Sequence, residues 1–382
     1  MIDYLLVGGG LQNTLIALAL RRFSPAANVV ILERGSSLGG NHLWCFHEDD
    51  IPPRMREVVA PLVAHRWESY DVVFPDHQRT LAMPYSGIPS ARLDEVARAA
   101  LGESIRLDCE VREIGPRHVV LASGERLSAR VVIEARGPER YEDADPARDA
   151  CGYLKFLGVE LRLARPHDLL RPIIMDAKIR QSDGYRFIYV LPFAPDRVLV
   201  EDNYYSDVPT WNPAIVRAEV LDYAKKAGLA IAEVEREERG VLPLPWRAPA
   251  LPKDSPPLVA GYQGGWFHPA TSYSLPVAAR LAEHVATTPL ELLFADGWRK
   301  LVDNHRAQQR FARTLNYLLF KGTPPANRWR VMSGFYRHPE DTLRRFYALA
   351  TTMSDKMRIL NRGFYWFLAA HVAGEGSDGE PR

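Results

Sequence analysis

Two adjacent acidic residues, Glu201 and Asp202, follow the apolar run Val198 to Val200. This position predicts that Glu201 ends a strand that is buried on both faces. Burial would raise the pKa of its carboxyl group and keep it protonated near neutral pH, as a general acid requires. Side chains alternate along a strand, so the two carboxyl groups point to opposite faces and one is structural. Glu201 is the preferred acid; Asp202 as acid or partner, and a charged pair without chemistry, are the alternatives.

An aromatic row precedes this acidic pair. Tyr185, Phe187 and Tyr189 are spaced two residues apart, which predicts one face of a strand. Their π-faces could stabilise a cation by roughly 0.5 to 2 kcal/mol per ring. The alternative is the half-buried face of an ordinary core, and a shift of one residue in register would turn the row away.

Other polar residues are weaker candidates. His42 and His47 follow the nucleotide-binding motif described below, and His268 precedes Pro269; their spacings match no metal motif. Each is a candidate base, although a core or turn histidine is more common. Asp176 is a possible second acid, with a turn residue as the favoured interpretation. The sequence contains no GxSxG motif and no recognisable Cys and His arrangement, which disfavours a hydrolase.

A glycine turn near the amino terminus suits a dinucleotide. Gly8 and Gly10 occupy the first two positions of GxGxxG, after the apolar strand Asp3 to Val7 and before an apolar helix. Asn13 replaces the third glycine, which weakens the motif. Glu33 ends the next strand, twenty residues beyond Asn13, where a carboxylate would accept ribose hydroxyls. The alternative is a purely structural turn with a solvent-facing glutamate.

Three later features favour FAD over NAD. They are the Gly39-Gly40 turn, the strand that ends in Ala135-Arg136-Gly137, and the Gly261 turn that precedes Pro269 and a helix. This layout resembles flavoproteins of the hydroxylase and reductase type, in which a late helix amino terminus approaches the flavin ring. The residues predicted to contact the cofactor are Gly8, Gly9, Gly10, Leu11, Asn13, Glu33, Arg34, Gly40, Gly137, Gly261, Pro269 and Thr271.

The predicted elements that position these residues indicate an α/β fold of the FAD-binding Rossmann type. Residues 1–60, 85–150 and 250–290 would form a discontinuous FAD-binding domain with a parallel sheet. Residues 61–84 and 151–249 would form an inserted antiparallel sheet that binds the substrate, because aromatic and β-branched segments there alternate with proline turns. Residues 291–382 read as a helical C-terminal region.

Composition excludes several classes of protein. The 382 residues include 48 Lys plus Arg against 47 Asp plus Glu, so no net field would attract nucleic acid. The three cysteines are widely spaced and contain no CxxC, which fits a reducing cytoplasm without a disulfide framework or zinc site. No apolar run reaches the roughly 18 residues of a membrane span, so any membrane contact is expected to be peripheral.

Five sequence blocks, with the glycine turn before them, resemble the bacterial lycopene β-cyclases. They occur in one order along the chain and are far more specific than the glycine motif; the Asn at position 13 also suits that family. The blocks are Gly39 to His47, Pro172 to Ala177, Gly184 to Phe187, Leu199 to Asp202 and Phe267 to Ser274.

The resemblance implies an isomerisation of lycopene. An acid protonates the terminal double bond, the neighbouring double bond attacks the carbocation, and loss of a proton leaves a β-ring. It also implies FAD in its reduced form, maintained by NADPH or another electron donor, with the reduced flavin stabilising the cation electrostatically. The family's acidic pair falls on Glu201 and Asp202, and the row from Tyr185 to Tyr189 would line the polyene tunnel.

Two rival functions remain open from the sequence. One is an FAD-dependent isoprenoid reductase or hydroxylase on the same fold, and the other is a non-catalytic carotenoid or lipid carrier. Because lycopene dissolves in membranes, we expect peripheral association with the inner face of the membrane. Phe364, Tyr365, Trp366 and Phe367 are the candidate docking residues, with burial in the core as the alternative.

Overall fold

The first βαβ unit forms around the glycine turn. The computed structural model describes residues 1–137, 150–248 and 254–361. Strand β1 (Ile2–Val7) leads through the turn into helix α1 (Leu11–Phe23), and β2 (Val29–Leu32) pairs with β1 in parallel. All residues from Leu11 to Leu20 are buried, because α1 lies between the sheet and a later helix. This helix therefore belongs to the core on every side.

The sheet around β1 is parallel at its centre. Its strand order is β8-β2-β1-β11-β10-β9, and β17 also pairs with β11. The antiparallel pairs β11–β10 and β10–β9 extend one edge. The additional strands are β8 (Ile105–Arg106), β9 (Val111–Ile114), β10 (His118–Leu121), β11 (Arg126–Glu134) and β17 (Leu258–Val259).

A second, larger sheet carries the acidic pair. Its order is β16-β12-β15-β14-β13-β5-β6, and every pair is antiparallel except β13 with β5. Strands from residues 61–84 and from residues 151–249 thus share one sheet. They are β5 (Tyr70–Phe74), β6 (His77–Leu81), β12 (Cys151–Leu163), β13 (Ile173–Asp176), β14 (Tyr185–Ala194), β15 (Arg197–Ser206) and β16 (Ile231–Pro245).

One expectation about this sheet is wrong. Glu201 does not end its strand but lies in the middle of β15, which continues to Ser206. The polar residues Asp202 and Asn203 suggested an early end. They stay in the strand because β12 and β14 pair with it on both sides along its length.

A small sheet and two helices connect these layers. The small sheet has the order β3-β7-β4, with β3 (Leu43–His47), β4 (His65–Trp67) and β7 (Tyr85–Pro89). Helix α2 (Arg56–Val59) is a single turn, and α3 (Ser90–Leu101) follows β7 directly. The small sheet lies against the large sheet. Trp67 of β4 donates a hydrogen bond to Pro192 O at 3.0 Å, and the end of β3 and the start of β7 are also hydrogen-bonded to the large sheet.

Helices cover both faces of the large sheet. Helix α4 (Pro213–Lys226) packs on one face and is capped by Asn212, whose side chain accepts the N–H of Ala214 at 3.1 Å. Among the C-terminal helices, α5 (Leu275–Thr287) packs against α1. The end of α6 (Asp296–Gly322), α7 (Arg328–Phe335) and α8 (Glu340–Tyr347) pack on the other face of the large sheet, and residues 353–361 are also helical. Within the described ranges, no helix combines the length and apolarity that a membrane crossing requires.

Candidate active site

The glycine turn is shaped by close backbone packing. Gly8 has φ +93°, and a Cβ there would lie 3.0 Å from Ala135 O and from Arg136 N. Only glycine combines that dihedral angle with that approach. The backbone after β11, at Ala135, therefore packs closely against the glycine turn. The small residues at this position predicted such a close approach.

Asn13 has a structural task that its glycine counterpart could not perform. Its Nδ2 donates hydrogen bonds to Val7 O and to Gly8 O, both at 2.9 Å, and the residue is fully buried. These bonds tie the first helical turn to the end of β1. The departure from GxGxxG thus replaces a close backbone contact with two hydrogen bonds.

Space remains in front of the amino terminus of α1. Among the described residues, a Cβ on Gly10 or on Gly137 would meet no atom within 4 Å, and one on Gly261 would first meet Ala135 Cβ at 3.8 Å. A helix amino terminus offers N–H donors and a positive dipole end to an anion. The arrangement suits a pyrophosphate, held among three turns.

Glu33 lies beside this space. Its Oε2 accepts the N–H of Gly9 at 2.6 Å and its Oε1 accepts the N–H of Gly35 at 2.7 Å. Each carboxylate oxygen retains further acceptor capacity. Arg34 and Gly40 are exposed nearby, and Leu11 is buried in α1.

The late turn brings Pro269 and Thr271 to the start of α5. Pro269 O accepts a hydrogen bond from Asn316 Nδ2 at 2.8 Å, so α6 holds this turn. His268 belongs to the same turn: Phe346 O lies 2.9 Å from its Nε2, and its Nδ1 accepts the N–H of Ala270 at 3.1 Å. Burial lowers the pKa of His268 to about 3, which fits a neutral turn histidine.

The two carboxyl groups of the acidic pair lie on opposite faces of β15. Asp202 is fully buried beneath α4, and its oxygens accept two bonds from Arg186 Nε, at 3.0 and 3.1 Å. Arg186 NH2 donates a further hydrogen bond at 2.5 Å, and the Tyr204 hydroxyl donates one at 2.9 Å. Asp202 is thus saturated by a structural cluster.

Glu201 faces the other side of the sheet and is partly exposed. Its cross-strand neighbours are Tyr189 on β14 and Gly158 on β12. Asn203 Nδ2 donates to Glu201 Oε1 at 3.1 Å. Burial of the carboxyl group raises its pKa well above the ordinary value, Glu238 raises it further, and the Asn203 hydrogen bond opposes the shift.

The predicted aromatic row lies on the same face as Glu201. Tyr185 and Phe187 stack with ring centroids 5.2 Å apart and are buried in the core, with Tyr205 beside them. Tyr189 is only half-buried, and its hydroxyl is hydrogen-bonded to that of Tyr85. The row therefore passes from packed core to an accessible ring next to the acid.

A buried His–Asp pair was underrated at the sequence level. His47 Nδ1 lies 3.4 Å from Asp50 Oδ2, and Nε2 lies 3.0 Å from the Tyr70 hydroxyl. Burial raises the pKa of Asp50. Four tyrosine rings surround His47, with centroids between 5.2 and 6.3 Å from its own; they belong to Tyr70, Tyr85, Tyr273 and Tyr347.

The remaining candidates have structural partners. Asp176 accepts a hydrogen bond from Tyr223 of α4 at 2.8 Å, on the side of the sheet where Asp202 lies. His42 is close to Trp44, with ring centroids 5.7 Å apart, and burial lowers its pKa. Among the described residues, no group of three or more His, Cys, Asp or Glu side chains is placed to hold a metal ion.

Comparison with known proteins assigns this arrangement to a family. The family model for the lycopene cyclase protein matches residues 3–371. The chain belongs to the lycopene cyclase family. A lycopene β-cyclase of Pseudescherichia vulneris is 45% identical over 94% of this chain and 93% of its own length. One from Pantoea ananas is 39% identical over 94% of each chain.

Solved structures support the fold of this cyclase family member. A probable FAD-dependent monooxygenase from Pseudomonas aeruginosa superposes with a TM-score of 0.60. It is 15% identical, and the match covers 88% of this chain and all of that one. The predicted fold class, a Rossmann-type flavoprotein with an additional sheet and a helical C-terminal region, is confirmed.

Sequence reasoning missed Glu238. Its side chain is 5% exposed and lies on β16, which is separated from β15 by β12. The alternation of Arg236, Glu238 and Gly240 could have placed these residues on one face, but no local pattern shows which strand lies beside β16.

Replacing Asp202 tests its structural role. We expect Asp202→Asn to lower the free energy of unfolding by roughly 3 kcal/mol, because Arg186 would lose a buried ionic partner. The measurement is urea unfolding followed by tryptophan fluorescence. The matched control is Glu219→Gln, which removes a partner of the same Arg186 whose side chain is 46% exposed; its loss should stay below about 1 kcal/mol. Equal losses would show that Asp202 does not anchor this cluster.

Proposed function

We propose that this chain closes the linear ends of lycopene to β-rings by proton transfer, forming γ-carotene and then β-carotene. The observation that carries the proposal is the Glu201 carboxyl group, which is desolvated yet partly exposed beside the Tyr189 ring. A hydrocarbon has no polar group to bind, so its site needs apolar and aromatic contacts with one acid. The membership of the chain in the lycopene cyclase family supports the same reaction.

Glu201 is the proposed acid. Burial raises the pKa of its carboxyl group well above the ordinary value, which favours the protonated form. Transfer of this proton to the terminal carbon–carbon double bond forms one C–H bond and leaves a carbocation. The electron pair of the neighbouring double bond then forms the ring C–C bond, and transfer of a ring proton to a carboxylate of the site, such as the ionised Glu201, leaves a neutral hydrocarbon. No electrons are gained or lost, so the product has the mass of the substrate.

Aromatic rings are the proposed stabilisers of positive charge. Tyr189 lies directly across from Glu201 on the neighbouring strand, and the Tyr85 hydroxyl is hydrogen-bonded to the Tyr189 hydroxyl. A cation above such rings gains roughly 0.5 to 2 kcal/mol for each. Phe187 and Tyr185 continue the row into the core and would bound the polyene tunnel.

The glycine turn is the proposed FAD site. The open space around Gly10, Gly137 and Gly261 fits a pyrophosphate, and Glu33 is placed to accept ribose hydroxyls. Reduced flavin, when bound, supplies electrostatic stabilisation of a nearby cation. NADPH or another donor would keep it reduced. In this proposal, residues 1–60, 85–150 and 250–290 bind FAD, and residues 61–84 and 151–249 bind the polyene.

A bilayer is the proposed source of lycopene, at the inner face of the membrane. On helical residues 353–361, Met353, Met357 and Leu360 form one exposed apolar stripe, and Arg358 beside it would attract anionic headgroups. Ile359, on the opposite side of the helix, packs in the cluster that contains Tyr185 and Phe187. The helix thus separates solvent from the aromatic region. Phe364, Tyr365, Trp366 and Phe367, the earlier docking candidates, lie outside the described residues.

The reaction itself can be tested with matched amide variants. Purified protein is incubated anaerobically with liposomal lycopene, FAD and NADPH, and the pigment is analysed by chromatography and mass. We expect the product to be an isomer of unchanged mass. Glu201→Gln should form it roughly 10²- to 10⁴-fold more slowly, which is the usual order of magnitude for the loss of a positioned acid. Asp202→Asn should retain its activity per folded molecule.

Other products would redirect the assignment. A gain of hydrogen or oxygen would support the reductase or hydroxylase alternative. Unaltered lycopene that stays bound to a reduced, flavin-loaded protein would support the carrier.

The FAD site can be tested with a charge. We expect Gly10→Asp to weaken FAD binding by about 100-fold or more, because a carboxylate would face the pyrophosphate. A Cβ at this position meets no atom of the described ranges within 4 Å, so the fold should be retained. The measurement is quenching of flavin fluorescence on titration. Gly10→Ala, which adds volume without charge, is the control, and similar losses in both would point to steric exclusion instead.

Membrane docking can be tested by flotation with anionic liposomes. We expect Met353→Ser with Met357→Ser to reduce the bound fraction by about tenfold, because two apolar side chains no longer enter the bilayer. Leu170→Ser is the control, since Leu170 is 87% exposed but lies in the segment before β13. Binding that is unchanged in the double variant would move the docking surface elsewhere.

A further inference from the structure

Two glutamates converge across one glycine in the large sheet. Gly158, on β12, is paired with Glu201 on β15 and with Glu238 on β16. Residues in register on three adjacent strands point to the same face of the sheet. Their Cα atoms are separated by two strand spacings, roughly 10 Å. Two glutamate side chains can close that separation only if the residue between them has no side chain.

The space above Gly158 is in fact occupied by these two side chains and by Leu199, whose Cδ1 would lie 3.2 Å from a Cβ at position 158. A Cβ at position 158 would lie 2.9 Å from Glu201 Oε2 and 3.2 Å from Glu238 Cγ. Both distances are shorter than a normal van der Waals contact for carbon. Glycine at this position therefore allows the two carboxyl groups to meet above β12.

The surroundings of the two carboxyl groups differ. Arg236 NH1 donates to Glu238 Oε2 at 2.9 Å, which places a positive charge beside Glu238. Arg236 is itself held by Glu160 Oε2 at 3.1 Å and by Asn41 Oδ1 at 2.8 Å. Glu201 instead accepts a hydrogen bond from the neutral side-chain amide of Asn203. Negative charge is therefore favoured on Glu238 and the proton on Glu201.

Other titratable groups also face the pair. Tyr189 on β14 and Cys45 on β3 lie near Glu201, and burial raises the pKa of each above the ordinary value. His42 lies near Glu238, and burial lowers its pKa. All three are therefore neutral near pH 7. The carboxylate of Glu238 and the guanidinium of Arg236 are the charged groups that act on Glu201.

We propose that Glu201 and Glu238 form a proton-sharing pair, in which Glu238 is a positioning residue that retains the catalytic proton on Glu201 and Gly158 provides the space for their contact. The inference rests on the proposed role of Glu201 as the acid. Two carboxylates in contact cannot both ionise readily, so the pair holds one proton to a higher pH than an isolated glutamate would. After proton transfer, both carboxylates face the new cation, and their negative charge stabilises it.

The sign of the pH effect follows directly. Cyclisation needs protonated Glu201, so activity falls as pH rises through its pKa. Burial and the Glu238 carboxylate both raise that pKa. Removal of the Glu238 charge takes away one of these contributions, so the alkaline loss of activity should begin at lower pH.

The decisive experiment compares pH profiles of turnover in the FAD-loaded, full-length protein. We expect the alkaline limb of Glu238→Gln to move down by about one pH unit or more. Glu237→Gln is the matched control, because Glu237 is the next residue on β16 but contacts Arg217 of α4 on the opposite face. Its profile should coincide with that of the unmodified protein. An unchanged alkaline limb in Glu238→Gln would overturn the pair.

A second variant keeps both carboxyl groups. Gly158→Ala places a methyl group between them, so it should shift the alkaline limb in the same direction as Glu238→Gln. If Glu238→Gln does not fold, this variant decides: an unshifted limb in folded Gly158→Ala overturns the pair.

Infrared titration without lycopene separates the two proposals. The carbonyl band of a protonated carboxylic acid that is lost in Glu201→Gln should persist to higher pH in the unmodified protein than in Glu238→Gln. This result would support the pair even if the protein failed to cyclise lycopene, in which case only the proposed function would fail. A band that titrates at the same pH in both proteins would overturn the pair.

Discussion

Both faces of the large sheet are covered by other elements. Because side chains alternate between the two faces along a strand, neighbouring residues lie in different surroundings. Asp202 is directed beneath α4, where Arg186 and Tyr204 saturate it. Glu201, one residue earlier, is directed towards aromatic rings and the C-terminal helices. An ionised carboxylate is poorly tolerated there, because burial penalises charge more than Asn203 can offset. The chemistry of the site follows from that asymmetry.

The opposite requirement holds at the glycine turn. The amino terminus of α1 needs an anion or water to satisfy its N–H groups, so the space around Gly10 is kept free of side chains. Asn13 stabilises the turn from within, leaving its outer side open. The proposed nucleotide site and the proposed polyene site thus lie on two separate sheets, which β3 and β7 connect.

Much of this organisation was predictable because it is local in sequence. The βαβ unit, the turn at Gly8 and the opposite orientation of Glu201 and Asp202 depend only on residue spacing. Glu238 was not predictable, since its approach to Glu201 depends on the register of two strands on either side of β12. The end of β15 was placed too early, because polar residues inside a strand resemble a loop until their partners are known. Asn13 weakened the motif for a similar reason: its two acceptors are backbone carbonyls, which no sequence pattern displays.

The interleaving of the two sheets also constrains the order in which the chain can fold during synthesis. β5 can pair with its parallel neighbour β13 only after about a hundred further residues have been synthesised. β11 can pair with β17 only after residue 257 has been synthesised. Neither sheet is complete when the ribosome has produced half of the chain. Edge strands with unpaired backbone groups are exposed until then, and such edges promote aggregation. The nascent polypeptide is therefore prone to aggregation until the late strands have been synthesised, and chaperones would bind it mainly during this interval.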